Sequence, residues 1–281
     1  MSADRLPPGY ARVDAAGAEL VARAELADAL RDAVRAHGSL YGWAQAHPAR
    51  RELRGRAIAW AVPLPGGGGD VVVRHSWHGG LLAPLTRDLF LPPTRAPREL
   101  DASARLRAAG IRTPEVAAYA LYPAPLGTRR ADVVTRLVPD GADLALVLRG
   151  LPVAREPLGP WVRATGALLH ALARAGVRHP DLNVKNVLLA PDGGAASGTL
   201  AAWVLDLDVA QLPDGAPTPG RVNAAGEANL QRLERSLDKW RRERGLPVLE
   251  EEIVCLRALA RHGPDARIEL VWRPGYNVGP T

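Results

Sequence analysis

Two short stretches decide the fold, His179-Pro180-Asp181-Leu182-Asn183-Val184-Lys185-Asn186 and Trp203-Val204-Leu205-Asp206-Leu207-Asp208. Between them, Val187-Leu188-Leu189-Ala190 predicts a strand and Pro191-Asp192-Gly193-Gly194 predicts a turn, after which the second stretch reads as an apolar return strand. Such a hairpin brings Asp181, Asn186 and Asp206 to its open end. Either stretch alone is more simply interpreted as a solvated loop or an acidic strand end, but both together in this order indicate a shared site.

The spacing of the first stretch suits phosphate transfer, because H-x-D-L-x-x-x-N resembles the catalytic loop of the protein-kinase fold. In that pattern a carboxylate takes a proton from an acceptor hydroxyl that faces the terminal phosphate. An amide five residues later reaches the metal beside the same phosphate. We therefore predict Asp181 as the general base and Asn186 as a metal ligand. Asp206 stands where the aspartate of D-F-G would hold the metal.

The composition sets outer limits on the class of protein. The 281 residues are 47% hydrophobic, enough for a sizeable core in one two-lobed domain or two small ones. A single cysteine, Cys255, excludes an intramolecular disulfide framework. We find no leader of the signal-peptide kind and no apolar run near the ~20 residues of a membrane span. We therefore expect a cytoplasmic protein.

The net charge of +6 comes almost entirely from arginine, since Lys185 and Lys239 are the only lysines. Arginine binds phosphate and carboxylate groups through two parallel hydrogen bonds, so an anionic partner is expected. The arginines lack interleaved aromatic residues and no nucleic-acid motif is present. An acidic lipid surface is therefore favoured over nucleic acid.

The first part of the chain predicts one helix and a strand pair. The spacing of apolar residues predicts an amphipathic helix over Ala18–Ala36, followed by strands at Ile58–Val62 and Val71–His75 with a turn at Pro63–Gly69. A phosphate-covering loop would lie near Leu53–Ala57, although G-x-G-x-x-G is absent.

Arg74 and Glu99 are candidates for an ion pair beside the nucleotide. Val71-Val72-Val73-Arg74 resembles the V-A-I-K strand with arginine in the lysine position, and no lysine precedes residue 185. Glu99 lies in the first turn of a helix predicted from Arg95 to Ala109. Two simpler interpretations stay open: an outward-facing arginine on an edge strand, and a glutamate that complements the helix dipole.

Further elements are predicted downstream. They are strands at Gly110–Tyr119 and Ala131–Val138, with Thr135–Val138 lining an adenine pocket by backbone groups, helices at Pro160–Ala175 and Ala225–Arg244, a turn at Pro213–Gly220, and a loosely ordered tail at Trp272–Thr281. The arginines of the 225–244 helix are either a solvated face or a basic edge against an anionic surface.

Over roughly residues 50–245 the sequence resembles the 3-deoxy-D-manno-octulosonic acid (Kdo) kinases of the lipopolysaccharide-kinase group. The matching residues are Val73-Arg74-His75 running to Gly79-Gly80-Leu81, Arg98-Glu99-Leu100, Gly110-Ile111-Arg112-Thr113-Pro114, the two stretches quoted first, and Asn229-Leu230-Gln231-Arg232-Leu233-Glu234-Arg235-Ser236-Leu237. The loop motifs are shared by many kinases. The arginine-histidine to glycine-glycine block and the Asn229–Leu237 helix are the features that indicate this group.

The resemblance implies an α+β, protein-kinase-like two-lobed fold. A small N-terminal lobe would hold an antiparallel sheet with one helix, and a larger, mostly helical lobe would follow. We predict an N-terminal extension over residues 1–50 that packs on the small lobe, the small lobe over 51–139 and the large lobe over 140–281.

The resemblance also implies a function, ATP- and Mg²⁺-dependent phosphorylation of the 4-hydroxyl of Kdo on lipid A. Asp181 and Lys185 would be catalytic, with Lys185 near the transferred phosphate. Arg74, Glu99, Asn186 and Asp206 would bind the cofactor, and the last two would also hold the metal. Leu207-Asp208 replaces Phe-Gly and no A-P-E segment follows, which argues against a protein substrate.

The expected partners are Kdo-lipid A and the anionic surface of the inner membrane, where the protein would lie peripherally on the cytoplasmic face. No nucleic-acid partner and no obligate protein partner is expected. The alternatives are a heptose kinase or another small-molecule kinase of the same fold, a pseudokinase scaffold at the membrane, and a nucleic-acid binder.

Overall fold

Within the described part of the chain, seven strands form one antiparallel sheet in the order β1-β2-β6-β7-β5-β4-β3. The computed structural model describes residues 6–55, 57–64, 67–77, 88–152, 154–193 and 198–266. The strands are β1 (Tyr10–Ala15), β2 (Ala18–Arg23), β3 (Arg51–Arg54), β4 (Ile58–Pro63), β5 (Asp70–His75), β6 (Val116–Pro123) and β7 (Arg129–Arg136). This sheet is the frame of the first lobe.

Among the described residues, three α-helices cover the two faces of the sheet. They are α1 (Ala27–His37), α2 (Leu40–Ala46) and α3 (Ala96–Ala108). Leu30 of α1 and Trp43 of α2 pack with the sheet in one apolar cluster. Leu100 of α3 packs in a second cluster of this lobe, whereas Leu106, six residues later, belongs to the core of the helical lobe. Helix α3 therefore connects the cores of the two lobes.

The second lobe is mostly helical. It contains β8 (Ala142–Asp143), α4 (Leu144–Arg149), α5 (Pro160–Arg174), β9 (Val187–Pro191), β10 (Leu200–Val204), α6 (Pro219–Arg244) and α7 (Glu250–His262), with the strands in the order β10-β9-β8. Helix α5 is central, and Gly166 allows its close contact with α7, because a Cβ there would lie 2.5 Å from Leu259 Cβ. Among the described residues no helix is both long and apolar enough to cross a bilayer.

The predicted fold class is confirmed, since an antiparallel sheet lobe precedes a mostly helical lobe. The predicted strands at 58–62 and 71–75 and the helix at 160–175 match β4, β5 and α5 closely. The hairpin of β9 and β10 also forms, with Val204 opposite Val187. The stretch from His179 to Asn186 therefore lies between helix α5 and strand β9, as predicted.

The predicted helix over Ala18–Ala36 is wrong in its first third. Residues 18–23 are strand β2, paired with β1 on one side and β6 on the other. A two-residue turn joins β1 to β2, with Ala16 at φ 56° and Gly17 at φ 83°. These strands are hydrogen-bonded into the sheet of the first lobe, while the proposed division at residue 50 stays a prediction.

Other elements also start at residues that differ from the predicted ones. β6 starts at Val116 rather than at Gly110, and α6 starts at Pro219 rather than at Ala225. The Thr218 side chain accepts a hydrogen bond from the Arg221 backbone at 3.3 Å, and this N-cap starts the helix early. Three predictions lie partly outside the described residues: the loop at 53–57 (residue 56), the turn at 63–69 (residues 65 and 66) and the turn at 191–194 (residue 194). The Gly79-Gly80-Leu81 block and the tail at 272–281 lie wholly outside them.

Candidate active site

The loop from His179 to Asn186 is fixed at its first residue. His179 is buried, and its Nε2 lies 3.0 Å from the Leu205 carbonyl oxygen, directly before Asp206. Its backbone N–H donates to Asn229 Oδ1 at 2.8 Å. One histidine therefore ties the loop both to the strand that delivers Asp206 and to helix α6.

Helix α6 supports the loop along one face, through residues at positions i, i+3 and i+7. Asn229 is fully buried and donates to the Val177 carbonyl at 2.8 Å, and Ser236 Oγ accepts the Val184 N–H at 3.2 Å. Arg232 lies between them. This explains the Asn229–Leu237 pattern, whose polar residues satisfy backbone groups of a loop that no strand could pair.

The carboxylate of Asp181 is held in place yet open to solvent. Its Oδ1 accepts a hydrogen bond from Arg232 Nη2 at 2.7 Å, and Arg232 Nε donates to the Pro180 carbonyl at 3.2 Å. Asn186 Nδ2 donates to the Asp181 carbonyl at 2.8 Å. The side chain of Asp181 is still 38% exposed, so an acceptor can reach it.

Asn186 and Asp206 offer the oxygens expected of a magnesium site. The Asn186 amide nitrogen is used by Asp181, which leaves Oδ1 for a cation, and the Leu205 N–H donates to the Asn186 carbonyl at 2.9 Å. Asp206 adopts φ 62°, a left-handed conformation uncommon for a non-glycine residue. Burial raises the pKa of Asp206, and Asp208 raises it further. A carboxylate and an amide oxygen suit Mg²⁺, so these residues fit the predicted metal.

Arg74 on β5 and Glu99 on α3 form the predicted ion pair. Glu99 is buried, and Arg74 Nη1 also lies 3.9 Å from Asp206 Oδ1. Burial opposes the charge of Arg74, but the carboxylates of Glu99, Asp206 and Asp208 raise its pKa overall. Arg74 therefore faces the site as a cation, and its role toward phosphates stays a prediction.

His75, the residue after Arg74, lies between two carboxylates. Its Nδ1 lies 2.6 Å from the buried carboxylate of Asp132, and its Nε2 lies 3.1 Å from Asp88. Asp132 also accepts hydrogen bonds from the Tyr41 N–H and the Tyr122 hydroxyl, both at 2.9 Å. This network fixes the end of β5 and so the strand position of Arg74.

A cleft of about 400 Å³, the nucleotide cleft, lies between the lobes. Leu53 and Val72 line it from the sheet, Leu188 from the helical lobe, and residues 135–138 from the connection between them. The last range is the one predicted to line an adenine pocket. Arg74, Glu99, Asn186 and Asp206 line the same cleft.

A second cleft of about 870 Å³, the acceptor cleft, adjoins the first. Asp181, Asn186 and Asp206 line it together with residues of helix α6. Asn186 and Asp206 line both clefts, which therefore meet at the candidate metal ligands.

Lys185 lies in the acceptor cleft, and its ammonium group has a carboxylate partner there. Its Nζ donates to Asp143 Oδ2 at 2.8 Å and lies 5.7 Å from the ring centre of Trp240. Its side chain lines the acceptor cleft, but its ammonium group is engaged by Asp143. A function of Lys185 at the transferred phosphate stays a prediction.

Arg232 contacts the candidate base Asp181, a contact that the sequence analysis does not predict. It was included among arginines interpreted as a solvated face or a basic edge. Its contact with Asp181 spans 51 residues, so no local pattern shows it. The signal in the sequence is the position of Arg232 in the Asn229–Leu237 block, between Asn229 and Ser236, which both contact the loop.

Comparison with known proteins decides the family. Residues 42–251 match the Lipopolysaccharide kinase (Kdo/WaaP) family. The chain belongs to this family. The resemblance inferred from the sequence is thereby confirmed, and the Kdo/WaaP-family chain is a lipopolysaccharide-related sugar kinase, an enzyme class that uses a nucleotide and a metal.

Individual relatives agree with the family match. The 3-deoxy-D-manno-octulosonic acid kinase of Stenotrophomonas maltophilia (strain R551-3) is 33% identical over 212 residues, 72% of this chain and 75% of the relative. That of Xanthomonas oryzae pv. oryzae (strain PXO99A) is 32% identical over 231 residues, 79% of each. A solved structure of WaaP in complex with acyl carrier protein is similar at 23% identity and a TM-score of 0.43, covering 75% of this chain and 82% of that one.

In this Kdo/WaaP-family kinase, Arg232→Gln is expected to lower kcat by roughly 10- to 100-fold, the equivalent of one charge-assisted hydrogen bond. The KM for nucleotide should not change, because Arg232 contacts the Asp181 side of the site. Arg232→Lys should recover part of kcat. Steady-state kinetics would check this, with Arg241→Gln on the same helix as the control. An unchanged kcat in Arg232→Gln would show that Arg232 does not position Asp181.

Arg74→Ala is expected to raise the KM for nucleotide about tenfold, because the arginine faces the cleft at Asp206. Glu99→Ala should imitate it, and the double variant should be little worse than either single variant if the two act as a pair. Arg51→Ala, which breaks an exposed pair with Asp70, is the control. Additive losses in the double variant would show that the two residues act separately.

Proposed function

We propose that this chain transfers the terminal phosphate of ATP, with Mg²⁺, to the 4-hydroxyl of Kdo in Kdo-lipid A. The observation that carries the proposal is the meeting of the nucleotide cleft and the acceptor cleft at Asn186 and Asp206, with Asp181 on the acceptor side. Relatives named as Kdo kinases support the choice of acceptor.

The nucleotide would occupy the cleft between the lobes. Its base would lie between the apolar side chains of Val72 and Leu188, and its phosphates would point toward Arg74. Arg74 keeps its charge and is restrained by Glu99, so it can contact phosphate oxygens without reorganising.

Asn186 and Asp206 would hold Mg²⁺ through their side-chain oxygens. The ion would supply positive charge beside the phosphates and so stabilise the negative charge that develops during transfer. Two contacts position these side chains: the Leu205 N–H donates to the Asn186 carbonyl, and the His179 ring lies beside the Leu205 carbonyl.

Asp181 would accept the proton of the acceptor hydroxyl. The hydroxyl oxygen forms its bond to the terminal phosphorus while the bond from phosphorus to the bridging oxygen breaks, and ADP leaves. Arg232 donates to the carboxylate and Asn186 donates to the backbone carbonyl of Asp181, so the carboxylate meets the hydroxyl in one orientation.

The direct test is phosphate transfer from labelled ATP to Kdo-lipid A, compared with the same acceptor extended by heptose. We expect label on Kdo-lipid A, at the 4-position, and transfer that depends on Mg²⁺. Label on the heptose of the extended acceptor would instead identify a heptose kinase. No transfer to either acceptor would contradict the proposal and favour a scaffold.

The same proposal includes a location, the cytoplasmic face of the inner membrane. The net charge of +6 and the lipid nature of the acceptor support it. The protein is expected to co-sediment with anionic vesicles more than with neutral ones and to be released by salt, because screened Coulomb attraction holds it. Binding that salt does not reduce would contradict an electrostatic contact.

A further inference from the structure

More cationic side chains than carboxylates line the acceptor cleft. Asp181 is paired with Arg232 at 2.7 Å, and Asp143 is paired with Lys185 at 2.8 Å. The remaining carboxylate of the lining, Asp206, is the proposed metal ligand. Each carboxylate therefore already has a positive partner or a proposed one.

Two further cations of helix α6, Arg235 and Lys239, line this cleft. Within the part of the chain that the structure describes, Arg235 makes no hydrogen bond or ion pair. Lys239 has Glu243 as its nearest carboxylate at 4.0 Å, beyond hydrogen-bond distance, and its side chain is 63% exposed. Lys239 and Lys185 are the only lysines of the chain, and both lie in this cleft.

Helix geometry places the two cations beside each other. Residues four apart on a helix are neighbours on its surface, so Arg235 and Lys239 present adjacent charges. Along the helix axis they lie about 4.5 Å and 10 Å beyond Arg232, which holds Asp181. An anionic group carried by the same sugar whose hydroxyl meets Asp181 would come within their reach.

We propose that Arg235 and Lys239 bind the carboxylate of a sugar-acid acceptor and select it over neutral sugars. This inference rests on the proposed function, which supplies Kdo, itself a sugar acid, as the acceptor. The guanidinium and ammonium groups offer charge-assisted hydrogen bonds to carboxylate oxygens, and their exposure keeps the cost of desolvation small. A lipid A phosphate has similar chemistry and is the alternative source of the anion.

The test is steady-state kinetics of Arg235→Gln, Lys239→Gln and the double variant with Kdo-lipid A. Each single variant should raise the acceptor KM about tenfold, with the KM for ATP unchanged and Lys239→Arg close to wild type. Arg242→Gln is the matched control, because Arg242 is exposed on the same helix and pairs with Asp238 at 2.9 Å. An acceptor KM that stays at the wild-type value in the double variant would overturn the inference.

Modified acceptors identify the anion. Reduction of the Kdo carboxyl group to an alcohol should raise the acceptor KM of the wild-type enzyme by a similar factor. With this reduced acceptor, the variants should show no further increase in KM. Removal of the lipid A phosphates should leave the effect of the variants intact. If the effect instead disappears with the phosphates, the proposed carboxylate contact is wrong. Absence of transfer by the wild-type enzyme would contradict the proposed function itself. An unchanged acceptor KM in an active double variant would contradict only the carboxylate contact.

Discussion

Replacement of Asp181 by asparagine is expected to lower kcat by roughly 10²–10⁴, the usual contribution of a general base. Asparagine keeps the size of the side chain and can still accept a hydrogen bond from Arg232, but it cannot take the proton of the acceptor hydroxyl. Binding of ATP should survive, because Asp181 lines the acceptor cleft and not the nucleotide cleft. Kinetics of transfer and calorimetric titration with ATP would measure the two effects separately.

The control for this variant is Asp238→Asn, which alters an exposed aspartate of α6 that pairs with Arg242. It should leave kcat near the wild-type value. A near-normal kcat in Asp181→Asn would remove the loop from the catalytic assignment, because Asp181 is the proposed base of this loop.

The second large effect is expected from Asp206→Ala. Loss of the carboxylate should abolish the difference between ATP binding with and without Mg²⁺ and lower kcat/KM by roughly 10²–10³, equivalent to several kcal/mol of metal stabilisation. Asn186→Ala should reduce the Mg²⁺ dependence less, because a neutral amide contributes less to the binding of a cation than a carboxylate does. Titrations with ATP at several Mg²⁺ concentrations would test both.

Asp208→Ala tests whether the metal ligand is Asp206 or its acidic neighbour Asp208. Asp208 Oδ2 accepts a hydrogen bond from Arg95 Nη1 at 3.0 Å, so its carboxylate is already engaged. This variant should therefore keep Mg²⁺-dependent binding. If Asp206→Ala keeps that dependence and Asp208→Ala loses it, the metal ligand is Asp208.

The parts of the site that could be predicted are those whose residues lie close together in the sequence. Asp181 and Asn186 are five residues apart in one loop, and an apolar hairpin connects them to Asp206. The turn residues and the apolar strand pattern are sufficient to predict that Asp181, Asn186 and Asp206 lie close together. The Arg74–Glu99 pair was reached differently, through the resemblance of its strand to a known motif.

The parts that could not be predicted depend on distant contacts. Leu20 and Ala24 happen to fit a helical spacing, but pairing with β6, about 100 residues later, stabilises 18–23 as a strand. Gly17 supplies one of the two positive φ angles of the β1–β2 turn, but Ala16 before it is not one of the residues that usually mark such a hairpin. Arg232 likewise acquires its role only when α6 packs against the loop.

The pairing of β2 with β6 has a practical consequence for producing this protein. The family match begins at residue 42, after β1, β2 and α1. A chain shortened to the matched residues would leave the N–H and C=O groups of residues 118–121 unpaired along a long, apolar edge of the sheet. Exposed edges of this kind recruit strands from other molecules and promote aggregation. The boundary for soluble expression should therefore lie before Tyr10, where the hydrogen-bonded sheet begins.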